Sequence, residues 1–143
     1  MLQRGQWRAV DFGLVLMSAA LAPAPPQQQV QPAPPASPAA LAKVRAEVGA
    51  KTFEEAWLYY SENRIDADKV YRWSRRLWEA DRDAATDTKG RVGAAEGHLI
   101  RMLKLEAKIA KIRQLGFGNS LDVLEAEYYR KEAEFWRAEA EAR

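Results

Sequence analysis

From residue 39 onward, apolar side chains recur at alternating steps of three and four, the spacing that lines one side of an α-helix. A first stretch, about 39–63, carries Ala46, Ala50, Phe53, Trp57 and Tyr60 at this spacing. A second, about 66–85, carries Val70, Trp73, Leu77, Ala80 and Ala84. The third, about 88–115, has the longest stripe: Val92, Ala95, Leu99, Met102, Leu105, Ile109 and Ile112. The fourth, about 119–142, carries Leu121, Leu124, Tyr128, Phe135 and Ala138, with Lys131 interrupting the row. Nowhere does the chain alternate apolar and polar residues with the period of two that a half-buried strand requires. The pattern predicts an all-α fold of four helices, arranged as two tandem antiparallel hairpins that form a bundle or a coiled-coil-like pair.

The breaks between stretches carry the chemistry of helix ends. Gly116-Phe117-Gly118-Asn119 supplies glycine to end the third helix and Asn119 to cap the fourth, with Asp122 at its third position. Either Gly116 or Gly118 is expected in the left-handed conformation. Asp66 follows Asn63 at the first break and is expected to cap the second helix. Asp87 or Thr88 is placed to cap the third. A shift of 53 residues lays Val70 on Val123, Glu79 on Glu132, Ala80 on Ala133 and cap on cap, which suggests that one hairpin unit occurs twice.

Charge then favours a pairing. Residues 89–115 hold seven basic and two acidic side chains, net +5, and residues 117–143 hold four basic and seven acidic, net −3. Antiparallel neighbours of opposite sign fit together. The whole chain has a net charge of +2, so bulk charge does not point to a polyanionic partner.

The first 38 residues have a different composition. Residues 1–22 place Arg4 and Arg8 ahead of an apolar run from Phe12 to Ala22, the arrangement of a secretory leader, with cleavage expected after Ala20. That run is too short to span a bilayer as a helix. All seven prolines fall between Pro23 and Pro38, in an uncharged stretch of Pro, Ala and Gln expected to be a solvated spacer. The domain order is therefore leader 1–22, linker 23–38 and helical domain 39–143. The leader implies export, most simply to the periplasm; without it the chain would stay in the cytoplasm.

Candidate chemistry is sparse. The chain has no cysteine, which excludes disulfides, thiolate metal sites and a cysteine nucleophile. His98 is the one histidine and is expected on a helix surface. Asp66 and Asp68 read as helix-start residues rather than paired catalytic carboxylates. The glycines near 116 lack a phosphate-loop pattern and a preceding strand. These residues offer no catalytic group, metal site or cofactor site. Trp57, Tyr59, Tyr60, Tyr71, Trp73 and Trp78 flank the first turn, as core of that hairpin end or as an exposed docking patch. Within Tyr71-Arg72-Trp73-Ser74-Arg75-Arg76, arginines beside stacking rings give an alternative reading, contact with nucleic acid. Stripes this rich in alanine make a lean core, and a protein partner or self-association is expected.

The segment from Gly116 to Trp136 resembles the helical repeat of TolC-type outer-membrane efflux proteins. Gly116, Ser120, Asp122, Val123, Leu124 and Ala126 carry the likeness, and Val70 and Ala80 carry a fainter copy, with Asn63 where glycine would be expected. Val70 to Leu77 and Ala126 to Arg130 are also similar to short uncharacterised helical proteins of planctomycete bacteria. The efflux resemblance implies a periplasmic helix with alanines on its packing side. It does not imply a channel, because barrel strands are missing from the pattern. Together these readings describe a non-enzymatic, exported helical interaction or structural protein of the cell envelope, with Phe117 as the natural anchor for a partner.

Overall fold

In the computed structural model of the chain, which describes residues 37–143, four helices follow one another: α1 Pro38–Ser61, α2 Ala67–Ala84, α3 Thr88–Gln114 and α4 Ser120–Glu141. No strand occurs among the described residues. Ser37 accepts from Ala40 N at 3.2 Å and Pro38 opens the helix, so these two residues belong to α1 and not to the linker. Serine before proline is a helix start by ordinary preference, because a first-turn proline forfeits no hydrogen bond. The leader, its cleavage point and the rest of the expected spacer, residues 1–36, lie outside the described residues.

Each break forms for a local reason. Gly116 and Gly118 both take positive φ, 86° and 74°, a left-handed backbone open to glycine because it has no Cβ. Asn119 then accepts from Asp122 N at 3.0 Å, while Asp122 accepts from Asn119 N at 2.9 Å, a complete capping box. Asn63, at φ 58°, does at the first break what glycine does at the second. Asp87 caps α3 by accepting from Gly90 N at 2.7 Å. Asp66 occupies the cap position of α2, but its side chain makes no capping hydrogen bond; the expected cap is absent, although extended backbone still ends the turn there. The two second helices of the hairpins begin 53 residues apart, and Ala80 and Ala133 are both in the core, as the repeat predicts.

Consecutive helices pack on one another, α2 also meets α4, and α1 does not approach α4. α1 reaches α3 through long side chains, with Lys104 Nζ 4.2 Å from the Trp57 ring and the Arg101 guanidinium 5.3 Å from that of Phe53. The third stripe fills the core much as its spacing predicts, with Met102 and Leu105 wholly enclosed.

The fourth stripe is inverted. Leu121, Leu124, Tyr128 and Phe135 are 59, 61, 63 and 64% exposed, and the buried row is instead Ala126, Tyr129 and Ala133, continued by the partly buried Trp136 and Ala140. Both rows step by three and four, so periodicity cannot choose between them. Two physical differences can. The outer row would carry Lys131 into the core without a partner, a cost of several kcal/mol. The inner row sets Tyr129 parallel to Tyr71, centroids 4.0 Å apart, and Trp136 parallel to Trp78 at 4.3 Å, while its alanines let the backbones approach. Each stack contributes about 0.5–1.5 kcal/mol beyond the area it buries.

If this row holds α4, Ala133→Leu should overpack the core and lower stability by about 1–3 kcal/mol. Phe135→Ala should stay within about 0.5 kcal/mol of the parent. Urea unfolding of the two variants checks the assignment.

Candidate functional site

The α1–α2 and α3–α4 turns lie at one end of the helices, and a cleft of about 520 Å³ opens between them. Its apolar lining comes from Ile65, Ile109, Ile112, Phe117 and Leu121, and its polar rim from Asp66, Asp68, Asp122 and Glu125, with Arg113 as the one base. Acids at the starts of α2 and α4 complement the partial positive charge of the helix ends. Arg113 donates to Gly118 O at 3.4 Å and steadies the second turn. Tyr60 lies at the cleft floor, where burial first, and the nearby Asp122 carboxylate second, raise its phenol pKa. Phe117 stands between the two left-handed glycines and is 68% exposed. An apolar floor rimmed by carboxylates suits an apolar side chain flanked by a base.

The residues singled out from sequence divide between this cleft and the core. Tyr60, Asp66, Phe117, Gly118, Asn119 and Asp122 line the cleft, and Gly116 shapes its turn from outside. Tyr71 and Trp78 are buried and stacked on α4, which leaves neither ring free for docking, and Tyr60 is buried beside Trp57. Trp57 and Trp73 are half-buried. In the Tyr71–Arg76 cluster, Tyr71 donates to Glu132, Arg72 pairs with Asp68, Arg75 pairs with Glu79 at 3.2 Å, and Arg76 lies over Trp73 at 4.8 Å. The ring that would stack on a base is thus covered. Burial, then the Glu132 hydrogen bond, pushes the Tyr71 phenol up to about 12. The cleft residues Ile65 and Glu125 carry no signal in the sequence, and Ile109 reads there only as part of the third stripe, because two turns 53 residues apart meet only in the fold.

His98 is not on the surface. It is wholly buried, enclosed by Tyr71, Trp78 and Trp136 with ring centroids 5.4–6.3 Å away. Ser74 Oγ, also wholly buried and unremarked in the sequence, lies 2.8 Å from His98 Nδ1 and accepts from Arg101 Nε at 2.8 Å. His98 Nε2 is buried with no hydrogen-bond partner. Ser74 and His98 resemble a nucleophile–base pair in composition, but both are wholly buried, with His98 enclosed by aromatic rings. Among the described residues, no group of three or more His, Asp or Glu is placed to hold a metal ion, and no helix is long and apolar enough to cross a membrane.

The fold and cleft define an all-α protein of paired helical hairpins with an exposed aromatic tip. Comparison of the chain with protein-family models, curated proteins and solved structures gives no match.

The buried histidine predicts a pH dependence. Burial, then the Arg101 charge, lowers its pKa from 6.5 to about 3. The unfolded chain takes up this proton at about 6.5, so between those values the unfolded state binds more protons and stability falls as pH falls. Carboxylates held low by basic partners, Asp83 and Glu134, lose their contributions only further into acid. Between about pH 6 and 4.5 the parent should therefore lose at most about 1.4 kcal/mol per pH unit, and His98→Leu should flatten that slope. Denaturant titrations across this range decide it.

Proposed function

We propose that this chain is a non-enzymatic helical interaction protein of the cell envelope, which docks a protein partner through the end where its two turns meet. The observation that carries the reading is Phe117: a large aromatic ring held in solvent by two positive-φ glycines, next to an apolar cleft with an acidic rim. An exposed aromatic beside a cleft costs solubility and adds nothing to the core, while aromatic anchors of this kind dominate the energetics of many interfaces. The rim favours a partner that presents lysine or arginine next to an apolar side chain. The leader-like residues 1–22 support export, and the likeness of residues 116–136 to the efflux helical repeat supports a place in the envelope near such assemblies.

Phe117→Ala should weaken capture of the partner at least tenfold while leaving the melting temperature within about 2 °C, since the ring has few contacts to lose. Unchanged capture, or a large fall in melting temperature, would defeat the docking tip. For export, N-terminal sequencing of the protein from a periplasmic extract should find Leu21 as the first residue; an intact Met1 in the cytoplasmic fraction would overturn it.

A further inference from the structure

α2 and α4 pack against α3, and α1 meets it through side chains alone, so one face of this 27-residue helix is left to solvent. On that face Lys89, Ile100, Lys104, Ala107 and Lys111 are exposed and fall on one row, because each lies close to a whole number of helical turns from the next. Leu103 borders the row toward α4 and Lys108 toward α1. Ile100 is 65% and Leu103 46% exposed. Among the described residues none of these four lysines makes an ion pair. Lys104 and Lys108 rest over the Trp57 and Tyr60 rings at 4.2 and 5.5 Å, contacts that leave their charge uncancelled. Glu96 is the one acidic side chain on the row, so four lysines against it leave +3. Glu106, on the flank toward α4, is taken by Arg130 at 2.7 Å.

Unpaired lysines around exposed aliphatic side chains are the two parts of a helix that lies in a lipid interface. Lys89 to Lys111 extends roughly 33 Å along the helix axis, which sets its cations in line over a flat surface. The long lysine stems let the ammonium groups stay among headgroups while Ile100 and Leu103 enter the acyl boundary. Nucleic acid is the poorer fit, because the row carries no aromatic ring and the nearest, Trp57, lies under Lys104, so a base has no platform to stack on. No described helix is long and apolar enough to cross a bilayer, so the contact is with its surface. Residues 117–143, net −3, are repelled by the same anionic lipids that attract α3, and this separation of charge turns the α3 face toward them.

We infer that α3 docks lengthwise on an anionic lipid surface, with Ile100 and Leu103 in the headgroup–acyl boundary and Lys89, Lys104, Lys108 and Lys111 among the lipid phosphates. Two aliphatic side chains make a shallow insertion and the lysine attraction is screened by salt, so attachment is weak, reversible and salt-sensitive. The contact uses none of the residues of the Phe117 end and stands apart from the docking tip.

The test uses the full chain and vesicles of phosphatidylcholine, with or without an equal amount of phosphatidylglycerol. The parent should co-sediment with the anionic vesicles and bind the neutral ones roughly tenfold more weakly or worse. Lys104→Gln together with Lys111→Gln should weaken binding about twentyfold, because each lysine near an anionic surface accounts for about a fivefold change. Ile100→Gln should weaken it about fivefold and leave its salt dependence as in the parent. All these side chains are exposed, so circular dichroism should show unchanged helicity. A residue-specific readout separates α3 from any contribution of residues 1–36: the chain has no cysteine, so Ala107→Cys and Phe135→Cys each carry a single environment-sensitive fluorophore. Emission from position 107 should shift to the blue on anionic vesicles, and emission from position 135 should not. A silent label at 107, or binding that the lysine pair leaves unchanged, would put the contact elsewhere and overturn the inference. So would unchanged binding of Ile100→Gln with equally tight binding of the parent to a single-stranded oligonucleotide, which would mean a general polyanion site.

Discussion

The parallel stacking of α2 on α4 is the interaction on which the rest of the structure depends. Tyr71 and Trp78 lie seven residues apart on one helix, Tyr129 and Trp136 seven apart on the other, and the two pairs meet as nearly parallel, stacked rings at 4.0 and 4.3 Å. Two stacks one heptad apart admit a single register, since a slip by one residue would separate both. This lock joins the first hairpin to the second, orients the inner row of α4 and carries the outer row into solvent. It also closes the box around His98, whose ring fills the space under both tryptophans.

The polar node in that box is a constraint of its own. Ser74, His98 and Arg101 are tied together in the core, and one imidazole nitrogen is left unsatisfied. An apolar residue of similar size would be cheaper, because an unmade buried hydrogen bond costs about 1–3 kcal/mol. The cost is offset in part by the flat ring, which packs among aromatic neighbours as a leucine would not. Burial also holds His98 neutral and lowers the pKa of Arg101, so the node keeps a charge only at its solvent edge, on the arginine.

The large exposed apolar surfaces lie where this packing ends. The two turns need left-handed residues at Asn63, Gly116 and Gly118, and such backbone returns the chain sharply without burying side chains. Phe117 and the cleft are products of that geometry. The exposed outer row of α4 is a product of the stacking. Both surfaces lie where apolar side chains exceed what four lean helices can cover.

Much of this was written in the sequence. Spacing of three and four along Val92 to Ile112 named the core face of α3 almost residue by residue, and Gly116, Gly118, Asn119 and Asp122 announced a helix end and a capping box, because these are local effects. The Ser37–Pro38 start was equally local. Asp66 was legible as a boundary but not as a side chain without its hydrogen bond, since capping depends on a rotamer set by its surroundings. What spacing cannot state is which of two equally periodic rows on α4 turns inward, or that His98 sits under Trp78 and Trp136. Those choices depend on side chains 20 to 58 residues apart, on the cost of burying Lys131 and on the gain of stacking four rings. Only the tertiary structure decided them, because a helix carries its own period but its neighbours select the face.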